Sequence, residues 1–252
     1  MQQLARAWLA GLLAGACAFT GAAAQDGGAV QAEAAPAARA PVVVELFTSQ
    51  GCVSCPPADE LLAELAQRDD VLPLALHVDY WDYIGWEDSF AQAAFTTRQK
   101  EYARSAGRRM IYTPQLIVGG HLEVAGYKPN KVLNAIASEK DRPARVRIDV
   151  TPAQDGALTV RLTPLRAIDG PARVIALRFR PLAEVHIERG ENAGRTLHYA
   201  NIVTDWTLIG TWDGTAPAEF TLQKPTGPDT LRGAVLVQED GPGPVLSAAR
   251  LD

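Results

Sequence analysis

Hydrophobic and polar positions follow two different regimes on either side of Pro143. Before it, nearly continuous apolar runs alternate with helical spacing. Val42-Val43-Val44-Glu45-Leu46-Phe47 is aliphatic and β-branched apart from one acid, which predicts a strand buried on both faces. The run breaks at Thr48-Ser49-Gln50-Gly51. From Ala58 to about Arg68, the apolar residues Leu61, Leu62, Leu65 and Ala66 recur at helical spacing. Val71 to Asp79 predicts a second buried strand, with Leu74, Leu76 and Val78 on one face and Ala75, His77 and Asp79 on the other. An aromatic-rich loop, Tyr80 to Asp88, leads into a helix predicted from about Ser89 to Ala106. Gln115 to Val118 predicts a strand that Gly119-Gly120 turns into a hairpin with His121 to Val124. Pro129 to Lys140 predicts a helix with Pro129 in its first turn and Val132, Leu133 and Ile136 facing inward.

After Pro143 the period changes to two. Arg145–Val150, Leu158–Leu162, Ala172–Phe179, Val185–Ile187, Glu219–Leu222 and Ala234–Val237 alternate between Gly, Pro and Asp turns, and no convincing helix intervenes. The pattern predicts a small antiparallel β-sandwich of about 110 residues. Up to residue 142 the order β-α-β-α-β-β-α is that of a thioredoxin core. The expected fold is therefore an α/β thioredoxin-like domain over residues 41–142 followed by an all-β sandwich domain over residues 143–252. No internal repeat is detectable.

The first 24 residues read as an export signal: Arg6 and the amino terminus give a positive start, Ala7 to Ala18 an apolar core, and Ala22-Ala23-Ala24 a small-residue cleavage site. The apolar core is too short to span a bilayer, which takes about 20 residues, and no later segment is apolar enough to form a stable membrane span. Ala14-Gly15-Ala16-Cys17 faintly resembles a lipidation site, but the missing Leu or Val three residues before the cysteine argues against one. Residues 25–40, rich in Ala, Gly and Pro, predict a disordered linker. The mature protein is expected to be periplasmic or secreted. A formal net charge of -5 gives no support to nucleic-acid binding, which calls for a basic face. Basic residues gather between Arg98 and Arg109, but Glu101 interrupts them and a solvated helix face accounts for the cluster.

Cleavage of the signal would remove Cys17 and leave Cys52 and Cys55, a single C-x-x-C, in an oxidising compartment. A bridge chosen for stability would close a longer loop: a loop of about four residues contributes about 2 kcal/mol against about 3 for about fifteen. The motif follows a strand and opens a helix, where unpaired backbone N–H groups and the helix dipole favour a thiolate on Cys52. Cys55, one turn on, is placed to resolve a mixed disulfide. Neither Val53 nor Ser54 is cationic, which predicts a couple that is less strongly oxidising than one with a histidine between the cysteines.

Thr113-Pro114 immediately precedes an apolar strand and hairpin. In the thioredoxin-like proteins that this order of elements resembles, the X–Pro bond there is cis and lies against the dithiol; the alternative is a plain trans proline that opens a strand. Glu45 is an acid in an otherwise apolar strand, seven residues before Cys52. It is either a proton acceptor for Cys55 with a raised pKa or the partner of an Arg or Lys at the strand end. Tyr80, Trp81, Tyr83 and Trp86 crowd into seven residues, with either a packing or a recognition task; Tyr80, Trp81 and Trp86 are the candidate substrate-binding residues. His77 and His121 are possible metal ligands beside the cysteines, although strand histidines are more often satisfied internally.

The stretch Val44 to Ala58, with His77-Val78-Asp79-Tyr80-Trp81-Asp82 and Tyr112-Thr113-Pro114-Gln115, resembles the bacterial thioredoxin-like family catalogued as domain of unknown function 1223. Arg189-Gly190-Glu191-Asn192-Ala193-Gly194-Arg195 extends the similarity, which runs from Pro41 onward. The resemblance implies the thioredoxin fold, export and the dithiol, and supplies no substrate. Relative to a minimal thioredoxin, the segment between Cys55 and Pro114 is longer and the Trp-Cys-Gly-Pro-Cys motif is absent, which argues against a general disulfide reductase. The expected function is an exported thiol–disulfide oxidoreductase of narrow specificity. It would need no cofactor or metal and would act on a protein or small-molecule thiol or disulfide. Cys52 would attack, Cys55 resolve, and Thr113-Pro114 align the partner. The alternatives are a copper- or zinc-binding chaperone using the same cysteines and a non-catalytic binding module.

Overall fold

A computed structural model describes residues 39–223 and 231–251. The expected export signal, Cys17 and nearly all of the expected linker lie outside the described residues. Strands β1 (Val42–Thr48) and β2 (Val71–His77) are parallel neighbours, and every residue of both is buried. That is the reason for their continuous apolar runs: helices cover both faces. On β1, Val42, Val44 and Leu46 pack with Ala58, Leu61, Leu62 and Leu65 of helix α1 (Pro56–Leu65) and with Val132 and Ile136 of helix α3 (Pro129–Lys140). Val43 and Phe47 pack on the opposite face with Phe95 and Tyr102 of helix α2 (Ala93–Ser105). Strand β3 (Gln115–Val118) runs antiparallel to β1 and forms the expected hairpin with β4 (Leu122–Ala125). Helix α2 begins four residues later than its apolar spacing suggested. Leu133 is 40% exposed instead of facing inward, because Val132 and Ile136 already fill the contact with the sheet.

The remaining strands are β5 (Val146–Pro152), β6 (Leu158–Pro164), β7 (Ala172–His186), β8 (Thr196–Trp212), β9 (Ala218–Leu222), β10 (Arg232–Glu239) and β11 (Val245–Arg250). They pair antiparallel among themselves, as period-two patterning without helices requires. They do not form a body of their own. β8 pairs in parallel with β2 at Ala75 and Ile202, which joins the two halves into one eight-stranded sheet of order β11-β10-β7-β8-β2-β1-β3-β4. The expected boundary at residues 142 and 143 is thus bridged by main-chain hydrogen bonding, and the described residues belong to one compact unit. A second, three-stranded sheet, β5-β6-β9, packs through Val146, Val160 and Leu162 onto Val174, Trp212, Val235 and Val237 of the large sheet. The sandwich-like layering predicted after Pro143 therefore exists, but the large sheet supplies one of its layers. The fold is mixed α/β. Two strands escaped the sequence pattern, β8 and β11, and the short run expected at 185–187 belongs to the end of β7.

Candidate functional site

The carboxyl ends of β1 and β2, the amino end of β3 and the far end of β4 all open on one edge of the sheet, and Cys52 and Cys55 lie there. Cys55 is the N-cap of α1, and the two prolines that follow occupy helix positions whose N–H groups would have no partner anyway. Main-chain bonds from Cys52 N to Ser49 O (3.1 Å) and from Cys55 N to Cys52 O (3.2 Å) close two successive tight turns. These turns bring the sulfurs to disulfide distance, 2.22 Å. Ser54 Oγ lies 3.4 Å from the Cys52 sulfur.

Thr113–Pro114 is cis. Because Gln115 pairs with Phe47, this bond falls just past the end of β1, beside the strand-to-helix turn. Gly126 fixes its other side. The Gly126 amide donates to Pro114 O at 3.0 Å, and a Cβ on Gly126 would fall 2.5 Å from Pro114 Cβ. Such a contact leaves room for glycine alone.

Both cysteines are buried, Cys52 1% exposed and Cys55 0%. Val53 between them is 54% exposed. Two segments cover the turn. One is the aromatic loop: a Cβ on Gly51 would meet Trp81 Cβ and Ile84 Cδ1 at 3.2 Å. Trp86 Nε1 donates to Gln50 Oε1 at 2.8 Å, and the Gln50 amide donates to Asp88 Oδ2 at 2.8 Å. The other is the tip of the β7–β8 hairpin. There Asn192 is buried and its Nδ2 donates to both Gln50 O (2.9 Å) and Cys52 O (3.1 Å). The loop aromatics expected to bind substrate are half-buried and make internal contacts. Trp81 Nε1 donates to Thr113 Oγ1 at 2.7 Å, Tyr80 OH donates to Gln99 Oε1 at 3.2 Å, and each of the three packs against a core cluster. Tyr83, by contrast, is 81% exposed.

Glu45 is not behind the dithiol. It shares the face of Val43 and Phe47, the one covered by α2, whereas α1 packs on the other. Arg98 of α2 donates Nε to its Oε2 at 2.6 Å and Nη2 to its Oε1 at 2.8 Å, and the Tyr102 hydroxyl donates at 2.7 Å. A carboxylate held by that many donors is an ion-pair partner, which excludes the proton-acceptor reading. The expected partner was a cation at the strand end; the actual one reaches across from a helix. Arg98 and Tyr102 go on to bond the side chain of Gln238 on β10.

The acid that does face α1 is on α1 itself. Asp59 is buried one turn beyond Cys55, and burial raises its pKa to about 7 against the pull of His77 and Thr48. His77 is fully buried, with Nδ1 2.7 Å from Asp88 Oδ2. Sequence reasoning missed Asp59, Asp88 and Asn192. For Asp59 a signal existed, since positions 55, 59, 62 and 66 share one helical stripe and the others in it are apolar. His121 lies apart, 2.9 Å from Arg142 Nη1. Among the described residues no group of three or more His, Cys, Asp and Glu side chains gathers as a metal site. No helix among them is long and apolar enough to cross a membrane.

No curated protein matches the chain. Among solved structures, an X-ray crystal structure of a protein from Agrobacterium tumefaciens is similar, with a TM-score of 0.71 and 33% identity over 84% of this chain and 94% of that one. HBP35 of Porphyromonas gingivalis shares the fold at a TM-score of 0.59 and 15% identity, over 84% of this chain and 74% of that one. The family model for a protein of unknown function, DUF1223, matches residues 43–238. With the same stretches that carry the dithiol, the cis Thr113–Pro114 bond and the Asn192 tie falling inside that match, the chain belongs to the DUF1223 family.

Proposed function

We propose that this protein is an exported thiol–disulfide oxidoreductase of narrow specificity, built on a thioredoxin-like unit formed by β1 to β4 and α1 to α3. The observation that carries the proposal is the Cys52–Cys55 disulfide at the start of α1, on the same sheet edge as the cis Thr113–Pro114 bond. The strand order β2-β1-β3-β4, with β3 and β4 antiparallel, supports the thioredoxin-like reading.

In the reductive direction for the protein, a partner thiolate forms a bond to the Cys52 sulfur. The Cys52–Cys55 bond breaks and its electron pair leaves on Cys55. Attack of a second partner thiolate, or of the paired thiol on the same partner, on the mixed disulfide then releases reduced Cys52 and an oxidised partner. The reverse sequence reduces a partner. Burial of both cysteines supports narrow specificity, since a partner must displace part of the cover to reach sulfur.

The test is to expose the purified, oxidised chain to graded ratios of reduced and oxidised dithiothreitol and to measure free thiols after quenching. A reversible titration of two thiols, together with mixed disulfides trapped by Cys55→Ala and lost in the Cys52→Ser, Cys55→Ala double variant, is the expected result. A disulfide that opens only when the chain unfolds would overturn the proposal.

A further inference from the structure

At the carboxyl ends of β1 and β2, on the face that α1 covers, several polar side chains are buried in a way that packing does not explain. Thr48 and His77 are register partners at the carboxyl ends of β1 and β2. By strand alternation both point toward α1, as Leu46 and Ala75 do two residues earlier. Asp59 meets them from the helix, and its amide donates to Cys55 O at 3.2 Å. Residues four apart share a helix face and side chains lean toward the preceding turn, so the Asp59 carboxyl is carried toward Cys55. Tyr199 of β8 closes the group edge-on to His77, with ring centroids 4.8 Å apart.

Both Asp59 oxygens, Thr48 Oγ1, His77 Nε2 and the Tyr199 hydroxyl are buried without a hydrogen bond of good geometry, the Thr48 hydroxyl lying only near enough to the Asp59 carboxyl to lower its pKa. Each such group costs about 1–3 kcal/mol. Their concentration around one buried acid, on the helix that Cys55 caps, marks side chains retained for chemistry. The His77 ring is held in place: Nδ1 bonds Asp88 Oδ2, the oxygen that also accepts the Gln50 amide of the dithiol turn. With Nδ1 held by Asp88 Oδ2, the imidazolium form of the ring is the positive charge that pulls on the Asp59 carboxyl. The charges acting on Asp59 are those of His77 on β2, Asp88 on the loop and Glu60 on its own helix, with the Thr48 hydroxyl at the end of β1.

We propose that Asp59, positioned against the Asp88–His77 pair, stores the proton of the Cys52–Cys55 couple. When a partner thiolate bonds to Cys52 and the electron pair of the broken disulfide leaves on Cys55, Asp59 gives its proton to the Cys55 sulfur and becomes a carboxylate. When the disulfide re-forms, the carboxylate takes that proton back as Cys55 attacks Cys52 and the partner thiolate leaves. His77 is the positioning residue, and its pull on the carboxyl keeps the proton transferable near neutral pH. The inference rests on the exchange function proposed above.

The experiment is the rate of disulfide opening by dithiothreitol from pH 5 to pH 9, corrected for the thiolate fraction of the reagent. In the wild type the corrected rate should fall as Asp59 loses its proton. Asp59→Asn should be slower by about tenfold or more at pH 6, with the gap closing by pH 9. His77→Gln should move the fall to higher pH. An Asp59→Asn profile with the wild-type shape would overturn the inference and leave the function standing, because a purely structural Asp59 alters stability and not the pH profile. Wild-type protein inert to the thiol at every pH would overturn both. Should Asp59→Asn fail to fold, a redox-induced infrared difference spectrum of the wild type decides. A change in the carbonyl stretch of a buried carboxylic acid on reduction supports the store, and its absence overturns it.

Discussion

A carboxyl group whose burial outweighs the pull of its neighbours keeps its proton to higher pH in the folded chain than in the unfolded one. For Asp59 the gap runs from the ordinary 3.8 to about 7. Inside that window the folded chain binds more protons than the unfolded chain, so stability falls as pH rises and levels off above the folded pKa. A gap of this size corresponds to about 4 kcal/mol at most. Asp59→Asn carries no such proton. Its stability relative to wild type, from urea unfolding of the oxidised proteins, should rise by up to several kcal/mol between pH 4 and pH 8. A difference that stays flat across that range would mean that Asp59 is solvated. Glu45 is also an acid with 0% exposure, but its partners supply three charge-assisted or hydroxyl donors. Its burial was legible in the strand pattern. Its partner was not, because Arg98 lies 53 residues away and strand alternation does not say which helix covers which face.

Between elements, the dithiol turn is held by contacts of long sequence separation. Asn192 reaches it from 140 residues away, at the tip of the β7–β8 hairpin, where Gly190 and Gly194 adopt the left-handed conformation that the tight tip requires. Asn192→Ala leaves two buried carbonyls without these donors and should lower stability by about 1–3 kcal/mol. It should also speed reduction of the disulfide by small thiols several-fold, because the same bonds keep the turn covered. Equal reduction rates for variant and wild type would show that the tip does not limit access. The motif and the helix behind it were readable from local spacing alone, whereas β8 was not. Its buried and exposed positions lose strict alternation between Tyr199 and Val203, Asn201 takes a positive φ of 49°, and its pairing with β7 slips at two places. A strand with bulges carries no period-two signature to find.

Across the whole molecule, the parallel joint between β2 and β8 makes the two halves depend on each other. Leu72, Leu74 and Leu76 of β2 share a core with Ile175, Leu177, Phe179, Val203 and Leu236 from beyond residue 142. A fragment ending at residue 142 would expose that apolar surface and the edge of β2. It should show no cooperative thermal transition by circular dichroism, while residues 39–252 should show one. An independently melting fragment would restore the boundary that the change of period at Pro143 suggested. The close approach of Gly126 to Pro114 reaches in another direction, into genetics. Any side chain at Gly126 must displace Pro114, so in a random-mutagenesis screen for loss of thiol exchange Gly126 should be recovered beside Cys52 and Cys55, as an allele with both cysteines intact and its lesion 71 codons downstream of Cys55.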